Sequence, residues 1–246
     1  MVMRSSKSAI VATALVASVC SSSSSAASLG LSPVSIEVIA PGAAAVLTLR
    51  NEGTAPLNVQ IRTFRWTEVD GEDTLEPTDD LVASPPMTSL APKVNYTVRL
   101  VRLAKRPLSA SESYRILVDE LPSPNTQKSK VVTLLTRYSI PVFFYPASAS
   151  EGKLTWSIEQ RDGGSYVSAT NTGDMHLRIS ELKVQDGNKP VISFGEGLAG
   201  YVLGHSTKTW AAPRSSGGLS GLVSLSIVAQ TNYGPIRASP TLPTSR

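Results

Sequence analysis

The chain has 246 residues, with 23 Lys or Arg against 19 Asp or Glu, a formal net charge of +4. One cysteine, two histidines and 41% hydrophobic residues exclude a disulfide scaffold, a histidine-rich metal site and a disordered polyelectrolyte. The basic residues are scattered along the chain, so the excess charge does not point to nucleic acid.

The chain begins with "MVMRSSK", the apolar "SAIVATALVASV" and the small-residue run "SSSSSAAS". This three-part order predicts a signal peptide over residues 1–27, cleaved after Ala27 with Ala26 as the alternative. The apolar run is shorter than the roughly 20 residues a membrane span needs. Val19 ahead of Cys20 is larger than a lipoprotein signal accepts. Cleavage would remove Arg4, Lys7 and the cysteine, leaving 21 basic against 19 acidic residues, a net +2. The exported chain would then rest on hydrophobic burial alone.

Alternating, β-branched segments follow in order: "VSIEVIA", "AAVLTLRNEG", "LNVQIRTFRWTEV", "NYTVRLVRL", "ESYRILVDEL" and "VVTLLTRYSIPVFFY". Turn-forming stretches such as "EGTAP", "VDGED", "SPPMTSLAP" and "LPSPNTQ" separate them. No segment holds an apolar 3.6-residue period over three turns. Residues 28–146 therefore predict an immunoglobulin-like β-sandwich that ends in a long strand. "ASASEG" at 147–152 predicts a linker. Residues 153–240, with "KLTWSIEQRD", "SYVSATNTG", "HLRISELKVQD", "GYVLGHSTKTWAAP" and "LVSLSIVAQT", predict a second β-sandwich. Residues 241–246 close a Pro-rich tail, "NYGPIRASPTLPTSR". The fold class is all-β with two immunoglobulin-like domains, which share an architecture and no motif.

Little here can do covalent chemistry. His176 and His205 lack partners at metal-ligand spacing and read as surface or strand histidines. No nucleophile elbow, SxxK pair or glycine-rich loop opening a helix occurs. The acidic stretch "EVDGEDTLEPTDD" reads as a solvated hairpin, without the residue order of a calcium loop. Trp66, Trp156 and Trp210 are far apart and read as core or rim residues. The expectation is no catalytic residue, no metal, no cofactor and no small-molecule substrate.

The stretch "KSKVVTLLTRYSIPVFFYP" is too long for an ordinary strand of about five or six residues, and it contains Pro141. Its context extends the observation. "LTLRNEGTAPLNVQIRTFRW", then "LVASPPMTSLAPKVNYTVRL", then "YRILVDELP", then "RYSIPVFFYP" follow one another in an order that resembles the periplasmic chaperones of the chaperone–usher pilus pathway. The ending is most similar to the archaic branch, which works with spore-coat-U-like subunits.

The resemblance implies a boomerang-like pair of domains in the periplasm. It implies a chaperone that binds and caps a pilus subunit by lending it a strand, then delivers it to an outer-membrane usher. It places the subunit-binding strand at Val131, Val132, Leu134 and Thr136. Which row faces the subunit stays open; Val132 and Leu134 are favoured because their parity continues through Thr136 and Tyr138. One face of a doubly apolar strand would pack its own core and the other the client. The family holds the subunit's terminal carboxylate with two basic residues, one of them in the first strand. "LGLSPVSIEVIAPG" has no Lys or Arg, so the implied anchors here are Arg115 and Arg137, with Lys93 a third candidate. An exposed edge also admits self-capping as a dimer or oligomer. The competing readings are an exported β-sandwich adhesin or pilus subunit, and a carbohydrate-binding module.

Overall fold

A computed structural model describes residues 29–104, 106–122, 134–161, 163–214 and 224–242, and every helix-or-strand element among them is a strand. The expected signal peptide lies outside the described residues. Numbered in chain order, eighteen strands form four sheets. The first sandwich has one sheet of β1 (Leu29–Ser32), β3 (Ala44–Asn51), β8 (Asn95–Arg102) and β6 (Leu81–Ser84). Its other sheet runs β2 (Ile36–Ile39), β10 (Arg137–Tyr145), β9 (Glu112–Leu121), β4 (Leu57–Val69) and β5 (Glu72–Pro77), with β7 (Met87–Leu90) also on β4.

The second sandwich pairs β11 (Leu154–Arg161), β12 (Gly164–Asn171) and β16 (Thr207–Ala211). Facing them are β14 (Lys189–Ser193), β13 (Leu177–Asp186), β17 (Leu225–Thr231) and β18 (Gly234–Ala238), with β15 (Leu198–Val202) beside β13.

Period-two burial builds each core, because successive side chains point to opposite faces. Leu47, Leu49, Val98, Leu100, Ile116, Val142 and Phe144 meet in the first. Trp156, Ile158, Val167, Ile179, Val184 and Ile227 meet in the second. A buried ion pair, Arg102 Nε to Glu112 at 2.7 Å, joins the two sheets of the first sandwich. Burial alone would raise the Glu112 pKa, but hydrogen bonds from Arg102 and Tyr114 bring it down to about 2.

The two sandwiches do share a motif. Asn51 donates to the carbonyls of Ala55 and Leu90, and its side-chain oxygen accepts from Gly53 N–H at 2.9 Å. Asn171 repeats this with Met175, Leu203 and Gly173. Each "NxG" triplet is an Asx turn whose buried amide satisfies loop carbonyls that water cannot reach.

The segment expected as a Pro-rich tail also differs. Residues 234–238 form edge strand β18 on β17, and Thr241 exchanges main-chain bonds with Trp156 and Ile158. Pro235 is tolerated because an edge strand needs only one set of ladder bonds.

Candidate functional site

β9 pairs with β10 from Arg137↔Asp119 to Phe144↔Glu112. On its other side β10 meets β2 in parallel only at Val142–Tyr145. Among the described residues, nothing pairs with that edge from Arg137 to Pro141. The main-chain parity is fixed at both ends. Thr136 turns its carbonyl to Glu120 N–H on β9, while Tyr145 turns its carbonyl to Ala40 N–H on the β2 side. Because these directions alternate along a strand, Arg137 and Ser139 aim both N–H and C=O at the open edge. Pro141 comes next in that row, where its missing N–H costs no bond to β9.

The side chains divide by the same parity. Tyr138, Ile140, Val142 and Phe144 pack into the first core. Phe143 and Tyr145 join Trp66, Tyr201 and Leu203 in a separate cluster between the domains. Both apolar faces of this half of the strand are thus covered within the chain. Here the second domain occupies the face that the first core leaves free.

Upstream the cover ends. Leu134 is 88% exposed, and it lies in the even-numbered row that continues through Thr136 to Tyr138 and Ile140. Thr136 is held through its main chain, by Glu120 N–H and by a long 3.4 Å bond from its own N–H to the Glu120 carboxylate. Val131 and Val132 lie outside the described residues.

The expected anchors separate. Arg137 is paired with Asp119, which Arg62 also grips at 2.7 Å. Burial would raise the Asp119 pKa, but these two guanidiniums hold it below the usual range. Arg115 stands opposite Pro141, four positions along β10, which is about 13 Å at about 3.3 Å per residue. Arg137 is engaged by Asp119, while Arg115 turns to other partners. Lys93 is tied to Glu52 at 3.3 Å.

Arg115 is differently placed. Its guanidinium lies 3.8 Å over the Trp66 ring and 5.1 Å from that of Tyr201. Burial lowers its pKa, countered in part by the charges of Asp73 and Glu68. It borders an interdomain cleft of about 400 Å³ shared with Ser139, Arg178, Ser180 and Tyr201. Those charges act on it from further away, and its stacked guanidinium borders the cleft.

The second domain is gripped by the hairpin between β4 and β5. Glu68 accepts hydrogen bonds from Leu203 N–H at 3.0 Å and from the Ser206 hydroxyl. Burial raises the Glu68 pKa, partly countered by these bonds. Thr209 N–H donates to Gly71 O at 3.0 Å, and Lys208 meets Asp73 at 3.1 Å. Gly71 has φ +83°, and a Cβ there would sit 2.5 Å from the Thr209 hydroxyl. The acidic stretch read as a solvated hairpin is in this part an interdomain strut.

His176 is likewise not a surface residue. It is 4% exposed, stacks on Phe143 with ring centres 3.7 Å apart, and shares a hydrogen bond with Tyr145. Burial first, then the charges of Arg178 and Arg115, depress its pKa to about 4. Sequence reasoning missed Glu68, Gly71, His176 and Tyr201 as a group. The one local signal was the Asp-Gly pair at 70–71, which marks a turn and not what the turn touches.

The family described as pili and flagellar-assembly chaperone, PapD N-terminal domain, matches residues 28–150. The chain belongs to that family. The same fold recurs in the CsuC–CsuE chaperone–tip adhesion subunit pre-assembly complex, from archaic chaperone–usher Csu pili of Acinetobacter baumannii. That likeness has 26% identity and a TM-score of 0.69, covering 89% of this chain and 100% of that one. It sets this pilus-assembly chaperone with the archaic branch. The YadV chaperone is similar at 18% identity and a TM-score of 0.62, over 86% of this chain and 99% of that one. The complex of SafA pilin with the SafB chaperone, from Salmonella enterica, is similar at 19% identity and a TM-score of 0.59, over 86% and 95%. No curated protein sequence matches the chain.

Proposed function

We propose that this chaperone captures a pilus subunit in the periplasm by adding the open edge of β10, with the residues before it, to the subunit's incomplete sandwich. The observation that carries this reading is the uncovered edge from Arg137 to Pro141, continued by the exposed Leu134. The main chain of Arg137 and Ser139 supplies ladder bonds that no strand satisfies among the described residues. The row through Val132, Leu134 and Thr136 supplies apolar side chains to the subunit's cleft. Burying a leucine contributes about 1.5–3 kcal/mol, so two or three such residues hold a subunit firmly. Arg115, stacked on Trp66, anchors the subunit's terminal carboxylate. Arg137 serves the fold through Asp119 instead.

No step in this cycle needs covalent chemistry. The subunit stays bound until another strand replaces the chaperone's, and an outer-membrane usher receives it. The signal peptide over residues 1–27 delivers the chain to the periplasm, and the open edge lets the free protein cap itself as a dimer or oligomer. Co-expression with the products of neighbouring genes, followed by purification from the periplasm, tests the reading. A small subunit should co-purify with the parent chain and be lost with Leu134→Asp. A well-folded monomer that retains no subunit under these conditions would overturn it.

A further inference from the structure

An open strand edge is a template for another chain, so a protein that leaves one edge for a partner has to guard its others. Most end strands here carry a guard of their own. β1, β2 and β6 have four residues each, too few for a long ladder. β5 carries Glu72, Asp73 and Glu76, and β18 carries Pro235. β14 carries Lys189 and Pro190 beside a register shift in β13. β16 lies against the β4–β5 hairpin through Thr209 and Gly71.

β11 has none of these devices. Its eight residues hold no Pro or Gly, and all eight pair with β12 without a shift. The direction of its main chain is fixed by bonds on both sides. Lys153, just before it, turns its N–H to the Asn171 side chain and its carbonyl to Thr172 N–H, both at the end of β12. Trp156 and Ile158 have the opposite parity and meet the segment that follows β18. Thr241 N–H donates to Trp156 O at 2.8 Å, and Ile158 N–H donates to Thr241 O at 3.0 Å. Alternation points Leu154 and Gln160 outward as well. Among the described residues, Thr241 alone meets this edge, in one parallel bridge opposite Ser157. Both main-chain groups of Thr241 face β11, so those of Pro240 and Leu242 face away, and Pro240 has no N–H to offer. The segment closes one edge without presenting a good new one.

We infer that residues 239–242 guard the edge of β11, and that without them two copies of this chain pair through it. An antiparallel strand can pair with its own copy about a two-fold axis. A ladder centred on Ser157 sets Trp156 against Ile158 and Leu154 against Gln160, all of them outward-facing. Thr241 occupies the middle of that ladder. The inference stands apart from subunit capture, which uses β10.

Sedimentation equilibrium of the chain from residue 28, and of the same chain ending at Ala238, tests it. The shortened chain should self-associate at least tenfold more tightly than the parent. Adding Gln160→Pro removes an outward N–H and no bond to β12, and should return association to within twofold of the parent. That change leaves β10 untouched, so it separates pairing through β11 from self-capping at the open edge. Thr241→Pro in the unshortened chain deletes the N–H given to Trp156 and should strengthen association at least threefold; it decides the matter if the shortened chain does not melt as a folded protein. Folded variants that associate within twofold of the parent would overturn the inference. Association that Gln160→Pro leaves unchanged would overturn it too, because another edge would then be responsible.

Discussion

The two halves of β10 share one neighbour and differ in the other. From Val142 to Tyr145 the strand has β9 on one side and β2 on the other, with a core under one face and the second domain over the other. From Arg137 to Pro141 it keeps β9 and loses β2, and Leu134 just beyond is almost fully exposed. The covered half, Val142–Tyr145, is wholly apolar or aromatic, whereas in the open half Arg137 and Ser139 alternate with Tyr138 and Ile140. Their surroundings give the covered half to stability and leave the other available to a partner, with Pro141 at the boundary.

Substitutions should separate these roles. Phe144 is fully buried and meets Tyr114 edge to face, with ring centres 5.9 Å apart. Phe144→Ala should cost about 3–5 kcal/mol in chemical denaturation. Leu134→Asp in the open half should change stability by no more than about 0.5 kcal/mol and yet abolish subunit capture.

The cover over the second face should depend on pH. Unfolded His176 takes up a proton near its ordinary pKa of 6.5, and the folded form does so only at about 4. Between these values the unfolded state binds more protons, so stability falls as pH drops from 6.5 towards 4 and is fully present above 6.5. The contribution reaches at most about 3 kcal/mol. Glu68, with its raised pKa, acts in the opposite sense above pH 4.5 and offsets part of it. Melting curves at pH 4.5 and 7 should differ less for His176→Phe than for the parent chain.

The strut comes next. Gly71→Ala places a side chain against Thr209 in a left-handed conformation and should cost about 1–3 kcal/mol. Calorimetry should then resolve two transitions where the parent has one. The smallest effect belongs to Arg137→Ala. Its side chain is 61% exposed, and the loss of its pair with Asp119 should cost about 0–1 kcal/mol.

The strands were legible because burial alternates at period two and Gly, Pro and Asn punctuate it. "VVTLLT" with "FFYP" reads in the sequence as one overlong apolar strand; among the described residues β10 begins at Arg137, and Val131 and Val132 lie outside them. What covers its second face was not legible. Glu68 meets Leu203 and Ser206 across 135 and 138 residues, and no local pattern carries a pairing that distant. The same holds for Arg115. Its place on a strand could be read, whereas its position between Trp66 and Tyr201 arises only when the two domains meet. Arg137 looked equivalent in sequence, and its pair with Asp119 on the adjacent strand could not be read there.

The most direct test of the open edge is amide hydrogen exchange at Arg137 and Ser139, in the free monomer and in the complex with the co-purified subunit. The account predicts fast exchange in the monomer, where neither N–H has a ladder partner among the described residues, and strong protection in the complex. Equal exchange in both states would contradict strand donation from this edge.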